Sequence, residues 1–119
     1  MKQSRGGYQV LWHSIAHIEL FSIPDVAERV AIGHAQEKLE AIGWRLGSPH
    51  SSAIKGEQGF GLRELRPRAG RSRWRPLYRR VGVESFVVLV LAPEASLNAR
   101  GFDKAIQDAK RRFRGLENH

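Results

Sequence analysis

Residues 62–92 read LRELRPRAGRSRWRPLYRRVGVESFVVLVLA. The three strands predicted within this segment are the basis of the fold that we expect for the chain. Residues 62–68 and residues 74–81 are predicted to be strands with a glycine-containing turn between them. Residues 85–92 are apolar on both faces, which is typical of a central strand that is covered on both sides. The connections between these three strands are short, so they predict an antiparallel meander.

The sequence before this stretch predicts one more strand and one long helix. Residues 8–12 are aromatic and β-branched and are expected to form the first strand, whereas the pattern of residues 13–21 fits neither a helix nor a strand. A helix is expected to start in residues 22–25, with Ser22 as the cap and the proline in the first turn, and to end at Gly43. Its apolar stripe recurs every three or four residues, in Val26, Ala27, Val30, Ala31, Ala35, Leu39 and Ile42.

The remaining segments complete an α+β domain. Residues 47–61 contain four glycines and are expected to form a loop. A second amphipathic helix at the C-terminus is predicted by the apolar stripe Phe102, Ala105, Ile106, Ala109, Phe113 and Leu116. We therefore expect one domain over residues 1–119, with a small antiparallel sheet in the order strand, helix and three-strand meander. The long helix packs on one face of this sheet, and the C-terminal helix follows.

The positive charge of the chain is concentrated in one segment. Residues 62–80 hold eight arginines and a single acid, Glu64, and so carry +7 of the net charge of +8. Arginine clusters of this kind most often bind polyanions such as nucleic acids, because the guanidinium contacts phosphate oxygens bidentately and stacks on bases. Trp74 and Tyr78 interleave with the arginines and offer stacking faces.

Composition excludes several other classes of function. The chain has no cysteine, which rules out disulfides and thiolate chemistry. Its longest apolar run, residues 86–93, is too short for a membrane helix, and the N-terminal residues do not resemble a signal peptide, so we expect a cytoplasmic protein with no membrane partner. His13 and His17 have no third ligand nearby in sequence, so no metal site is predicted.

The arginine-rich strands also resemble a known family. The segments Gly61-Leu62-Arg63-Glu64-Leu65-Arg66 and Arg75-Pro76-Leu77-Tyr78-Arg79, followed by the apolar strand that begins at Phe86, resemble the RelE/HigB toxins of type II toxin–antitoxin systems. The similarity is greatest to the phage-derived HigB-like branch, in which a G-L-x-E-L-R strand precedes an R-x-L-Y strand. The resemblance covers roughly residues 8–116.

The resemblance implies a RelE-like fold and a small ribosome-dependent endoribonuclease that cuts messenger RNA in the ribosomal A site. In this chemistry the RNA 2′-hydroxyl attacks the adjacent phosphodiester, and no metal or other cofactor takes part. The protein must align the nucleophile, neutralise the charge that develops on the phosphoryl oxygens and move protons. The expected partners are mRNA, the ribosome and a cognate antitoxin that is acidic or contains a helix-turn-helix, as in HigA-like proteins.

The resemblance also assigns candidate site residues. Arg66 and Arg75 match the arginines that contact the scissile phosphate, and Lys55 matches a basic residue of the loop before the first motif strand. His50 lies in the same loop and is the best imidazole candidate for acid–base catalysis. Further RNA or phosphate contacts are expected from Arg63, Arg68, Arg73, Tyr78, Arg79, Lys110 and Arg111. Arg71 is expected only to steer the ligand from the turn.

Two questions stay open at the level of sequence. The proton-transfer group is His50, Lys110, arginine electrostatics alone or absent, because residues 93–96 lack the family's lysines and the last helix lacks its usual tyrosine or histidine. The target is also open. A ParE-like toxin of the same fold acts on DNA gyrase without a nuclease site, and a plain basic nucleic-acid-binding module would show the same charge.

Overall fold

The structure is a computed structural model that describes residues 7–117. Three helices and one five-stranded sheet make up this part of the chain. The elements in chain order are β1 (Gln9–Trp12), α1 (Ser14–Phe21), α2 (Val26–Ile42), β2 (Ser51–Ala53), β3 (Arg63–Leu65), β4 (Trp74–Arg80), β5 (Ser85–Pro93) and α3 (Ala99–Glu117). The fold is therefore α+β, as the sequence predicted.

The sheet is mixed rather than wholly antiparallel. Its strand order is β1-β5-β4-β3-β2. The predicted meander of β3, β4 and β5 is confirmed, since each of these strands pairs antiparallel with the next. The first strand differs from the expectation, because β1 runs parallel to β5, with Leu11 opposite Val87. This pairing requires a crossover connection, and α1 and α2 supply it.

Helices cover both faces of the sheet, as the apolar pattern of residues 85–92 predicted, and the long helix packs on one of them. On one face α3 packs over Leu77, Val87 and Leu89. On the other face α2 packs over Tyr78 and Val88. The strand β5 lies between these two layers and is buried from Phe86 to Ala92, which confirms that it is interior and covered on both sides.

The ends of the first two helices differ from the sequence prediction. Residues 14–21, which fit no period, form α1, whose first turn is capped by the His13 imidazole accepting a hydrogen bond from the amide of Ile15. Ser22 ends α1 instead of starting α2, and the cap of α2 is Asp25, which accepts from the amide of Ala27. A carboxylate at this position also suits the positive end of the helix dipole.

Gly43 ends α2 as predicted, and its role is conformational and steric. Its φ is +72°, and a Cβ atom there would lie 2.3 Å from the ring of Tyr8. The long helix can therefore end against β1 only if this position has no side chain.

The segments around β3 are shorter and more structured than predicted. The expected loop of residues 47–61 contains the edge strand β2, whose Ser51 pairs with Leu65. The predicted strand of residues 62–68 keeps only Arg63–Leu65 as β3, because a tight turn begins at Pro67. The side chains nevertheless alternate as in a strand, since Leu62 packs on the α3 face and Leu65 on the α2 face.

A buried ion pair completes the edge of β5 beyond the end of β1. Arg112 of α3 donates to the main-chain oxygen of Leu89 at 2.8 Å and forms a bidentate pair with Glu19 of α1. Glu19 in turn accepts from the amide of Leu91 at 3.0 Å. These side chains supply hydrogen bonds that a longer β1 would have made, and they join α1 to α3.

The helices within residues 7–117 are not suited to crossing a bilayer, because none of them is both long enough and apolar enough.

Replacing Arg112 with methionine should destabilise the protein by about 2–4 kcal/mol, because it leaves Glu19 without its counter-charge and the oxygen of Leu89 without its donor. Urea denaturation measures this loss. The matched control is Arg111→Met, one position earlier on a side chain that is 63% exposed, which should cost less than about 1 kcal/mol. Equal losses in the two variants would show that the Arg112 pair does not stabilise this edge.

Candidate functional site

The connection between β3 and β4, which we call the arginine loop (residues 66–73), has a strained backbone. Arg68 and Ala69 have φ values of 57° and 55°, in the left-handed region that non-glycine residues rarely adopt. Gly70 follows with a φ of 94°, which glycine adopts without this penalty. Strained residues of this kind persist only where the surrounding structure holds them, and they are frequent at functional sites.

Arg75 holds the arginine loop from the interior of the protein. Its side chain is only 1% exposed and its guanidinium donates to the main-chain oxygens of Gly70, Ser72 and Trp74. Two carboxylates flank it, with Glu94 at 3.5 Å and Glu64 at 3.9 Å. The sequence predicted that Arg75 contacts the scissile phosphate, but the buried guanidinium faces protein oxygens, so its role in this structure is to shape the loop.

Burial lowers the pKa of Arg75, and the nearby charge of Arg66 lowers it further, while Glu64 and Glu94 act in the opposite direction. An arginine is suited to this position because its guanidinium stays protonated where a buried lysine would lose its charge.

Glu64 holds Arg66 beside the loop. One carboxylate oxygen of Glu64 lies 3.0 Å from Nη1 of Arg66, and the other faces Arg75. The guanidinium of Arg66 also rests against the backbone of Gly70, where a Cβ atom would lie 2.6 Å from Nη2. The lone acid of the arginine segment therefore orients Arg66.

Glu28 in the first turn of α2 ties the same loop to the helix. Its carboxylate accepts from the hydroxyl of Ser72 at 2.6 Å and pairs with Arg68 at 3.4 Å. Arg68 also donates to the main-chain oxygen of Ala27. Sequence reasoning missed Glu28 and Ser72 because they are 44 positions apart and neither carries a local signal of the contact.

A groove of about 500 Å³ lies between the arginine loop and α2. One wall is aliphatic and comes from α2; we call it the α2 wall. The other wall is the arginine loop. The twelve residues that line the groove are Ala27, Val30, Ala31, His34, Ala35, Lys38, His50, Arg66, Pro67, Arg68, Ala69 and Arg71. None of these twelve is acidic, so the groove presents positive charge and imidazole nitrogens to a ligand.

The groove brings together three of the predicted site residues. Arg66, Arg68 and His50 all line it. His50 is held next to β3 because its main-chain oxygen accepts from the amide of Arg66 at 2.9 Å. Arg71, which was expected only to steer, also lies in the groove wall.

His34 and Lys38 are the groove residues that the sequence did not reveal. They lie four positions apart and therefore on the same side of α2, and both face the groove. The four-residue spacing was visible in the sequence, but nothing there showed that the arginine loop would lie opposite. The site therefore has two imidazoles where one was predicted.

Arg63 and Tyr78, predicted as RNA contacts, are instead part of an interior network. The Tyr78 hydroxyl lies 2.6 Å from Oγ of Ser51, and Tyr78 is buried. Arg63 donates to Ser51, to the Tyr78 hydroxyl and to the main-chain oxygen of Leu46. The network fastens the edge strand β2 to β4, and the Tyr78 ring packs against Phe86 rather than offering a face to a base.

The basic residues predicted on α3 and at the end of β4 lie on the opposite face of the sheet from the groove. Arg79 is packed between the rings of Phe60 and Phe113, at 4.6 and 4.1 Å from their centroids. Lys110 pairs with Glu57 at 2.6 Å, and Arg111 pairs with Asp108 at 2.9 Å. In these positions their side chains pack against α3 or the loop that precedes β3.

Lys55 and Arg73 are exposed and lie outside the groove lining. Lys55 follows β2, whereas His50 precedes it, so the two residues are at opposite ends of this strand. Arg73 precedes β4, and its main-chain oxygen accepts from the amide of Glu94. Neither residue shares the groove with Arg66.

No family model, curated protein sequence or solved structure matches this chain. The interpretation of the site therefore depends on its geometry. Within residues 7–117, no three histidine, aspartate or glutamate side chains are grouped as a metal site would require.

Arg75→Met should lower the free energy of unfolding by about 3–5 kcal/mol, because it leaves the oxygens of the arginine loop without donors and takes away the guanidinium that faces Glu94. Chemical denaturation measures the loss, and Arg73→Met, an exposed arginine two positions earlier, should change stability by less than about 0.5 kcal/mol. Equal losses in the two variants would show that Arg75 does not hold the arginine loop.

Proposed function

We propose that the protein is a toxin of the RelE/HigB type, a metal-independent endoribonuclease that cleaves messenger RNA on the ribosome. The observation that carries this proposal is the groove that His34, His50 and Arg66 line together and whose twelve lining residues include no acid. The likeness of residues 61–66 and 75–79 to the RelE/HigB strand motifs supports the same assignment.

The arginine loop supplies the electrostatic part of the reaction. Arg66, held by Glu64, binds the scissile phosphate and stabilises the charge that develops on its nonbridging oxygens. Arg68 and Arg71 bind the neighbouring phosphates of the RNA. Arg75 acts on these groups only through the loop that it supports.

The two imidazoles supply the proton transfers. One imidazole accepts the proton of the 2′-hydroxyl as its oxygen bonds to phosphorus, and the other, in its protonated form, gives a proton to the departing 5′-oxygen. The products are a 2′,3′-cyclic phosphate and a 5′-hydroxyl. Histidine suits both roles because its ordinary pKa lies close to physiological pH.

The proposal also implies two macromolecular partners. The ribosome presents the mRNA, and an antitoxin, acidic or with a helix-turn-helix, holds the enzyme inactive. An acidic antitoxin would be attracted by the same cationic groove that binds RNA, since none of the groove residues is acidic.

Arg66→Gln and His50→Asn should each reduce mRNA cleavage in a translating extract by about 100-fold or more, since each removes a charge-stabilising or proton-transfer group. Primer extension on the mRNA measures cleavage, and growth after induced expression reports toxicity. The matched control is Arg114→Gln, the same charge change on the exposed side of α3, which should leave both readouts as in the wild type.

Three outcomes would contradict the proposal. Intact mRNA with growth arrest and DNA damage would indicate a gyrase-directed toxin instead. Harmless expression, with RNA binding that weakens as salt rises, would indicate a nucleic-acid-binding module without catalysis. Equal loss of cleavage in Arg114→Gln would show that cleavage depends on total charge rather than on the groove.

A further inference from the structure

The proposed chemistry uses the cationic wall of the groove and leaves the α2 wall without a role. The α2 wall consists of Ala27, Val30, Ala31 and Ala35. Ala27, Ala31 and Ala35 recur every fourth residue, so they form a continuous strip about 12 Å long at 1.5 Å per residue. Val30 stands beside this strip and is 49% exposed, whereas Ala31 and Ala35 are each only 7% exposed. Ala27 is also exposed, so the apolar surface that meets solvent inside the charged groove comes from Ala27 and Val30.

The chemistry of the two walls restricts what fills the groove. A ligand that satisfies both has an apolar face on one side and negative charge on the other. The volume of about 500 Å³ lies within the range of pockets for small ligands and is far too small for a protein domain. A nucleotide has this combination, because its base has a flat apolar face and its phosphate is anionic.

We propose that the groove is a nucleotide subsite, in which the base lies against the α2 wall while the phosphate binds the arginine loop. This inference rests on the proposed RNA substrate, and it adds the surface that receives the base. The base approaches Ala27 and Val30, the exposed residues of this wall, and the phosphate approaches Arg66 and Arg71 across the groove.

The end of the groove supplies polar groups for the edge of the base. His34 and Lys38 line the groove one and two helical turns after Val30 on α2. Lysine is a hydrogen-bond donor only, and histidine donates or accepts, so together they can pair with the acceptor atoms of a base edge. A fatty acid or a purely aliphatic anion would leave these groups unpaired, which disfavours such ligands.

The test uses three kinds of probe, which distinguish binding to the arginine loop from binding to the α2 wall and need no cleavage. They are inorganic phosphate, ribose 5-phosphate and the four ribonucleoside 5′-monophosphates, each titrated into the full chain with calorimetry or NMR chemical shifts as the readout. If the α2 wall receives the base, at least one mononucleotide should bind about fivefold or more tightly than ribose 5-phosphate, which corresponds to burying a few apolar groups.

Two variants assign that difference to the residues proposed. Val30→Asn should remove the advantage of the mononucleotide and leave the affinity for ribose 5-phosphate unchanged. Arg71→Gln should weaken the binding of all three kinds of probe. The matched control is Val26→Asn, the same change four residues earlier on an exposed position outside the groove lining, and it should bind every probe as the wild type does.

The outcomes separate this inference from the proposed function. Equal affinity for all three probes, or no binding of any mononucleotide, overturns the nucleotide subsite and leaves the α2 wall to a protein partner, whether or not RNA is cut. Loss of the base preference in Val26→Asn as well also overturns it, because the effect would then not belong to the groove. Base-dependent binding that only Val30→Asn removes supports the subsite even if mRNA stays intact, in which case only the nuclease proposal fails.

Discussion

The arginine loop depends on one buried cation, Arg75. A guanidinium that is almost fully removed from water needs compensating groups around it. Here its two Nη atoms donate to three main-chain oxygens, and the carboxylates of Glu94 and Glu64 lie 3.5 and 3.9 Å away. The three hydrogen bonds run to the main-chain oxygens of residues 70, 72 and 74. The loop must therefore keep this conformation for the buried cation to keep its acceptors. The strained backbone of Arg68 and Ala69 is tolerated because the next residue is fastened in this way.

The eight arginines of residues 62–80 therefore have different structural roles. Arg63, Arg75 and Arg79 are directed at protein oxygens or aromatic rings and stabilise the fold. Only Arg66, Arg68 and Arg71 line the groove. A charge count of the segment therefore overstates the cationic surface that a ligand meets, since an arginine can be solvated by main-chain carbonyls as effectively as by phosphate.

The sequence predicted the elements better than it predicted the site. Apolar periodicity located β5 and α3 because these elements bury most of one or both faces. Leu62 and Leu65 lie on opposite faces, as the alternation of a strand requires. Neither periodicity nor alternation separates a buried arginine from an exposed one, and it was the resemblance to the RelE/HigB strands that implied a phosphate contact for Arg75. That distinction depends on which oxygens surround the guanidinium. Glu64 and Glu94 are 30 residues apart, and they come close to Arg75 only after the sheet has formed.

The acids that pair with the arginine loop do not line the groove. Glu64 contacts Arg66 and Arg75, Glu28 contacts Arg68 and Ser72, and neither carboxylate lines the groove. Like charges on a short loop repel one another, and these carboxylates offset the repulsion. Because they are absent from the lining, the arginines and the lysine that line the groove meet a ligand without an acid among them. Removing either acid would therefore loosen the wall without making the groove a better anion site, since the orientation of the arginines would be lost with their partner.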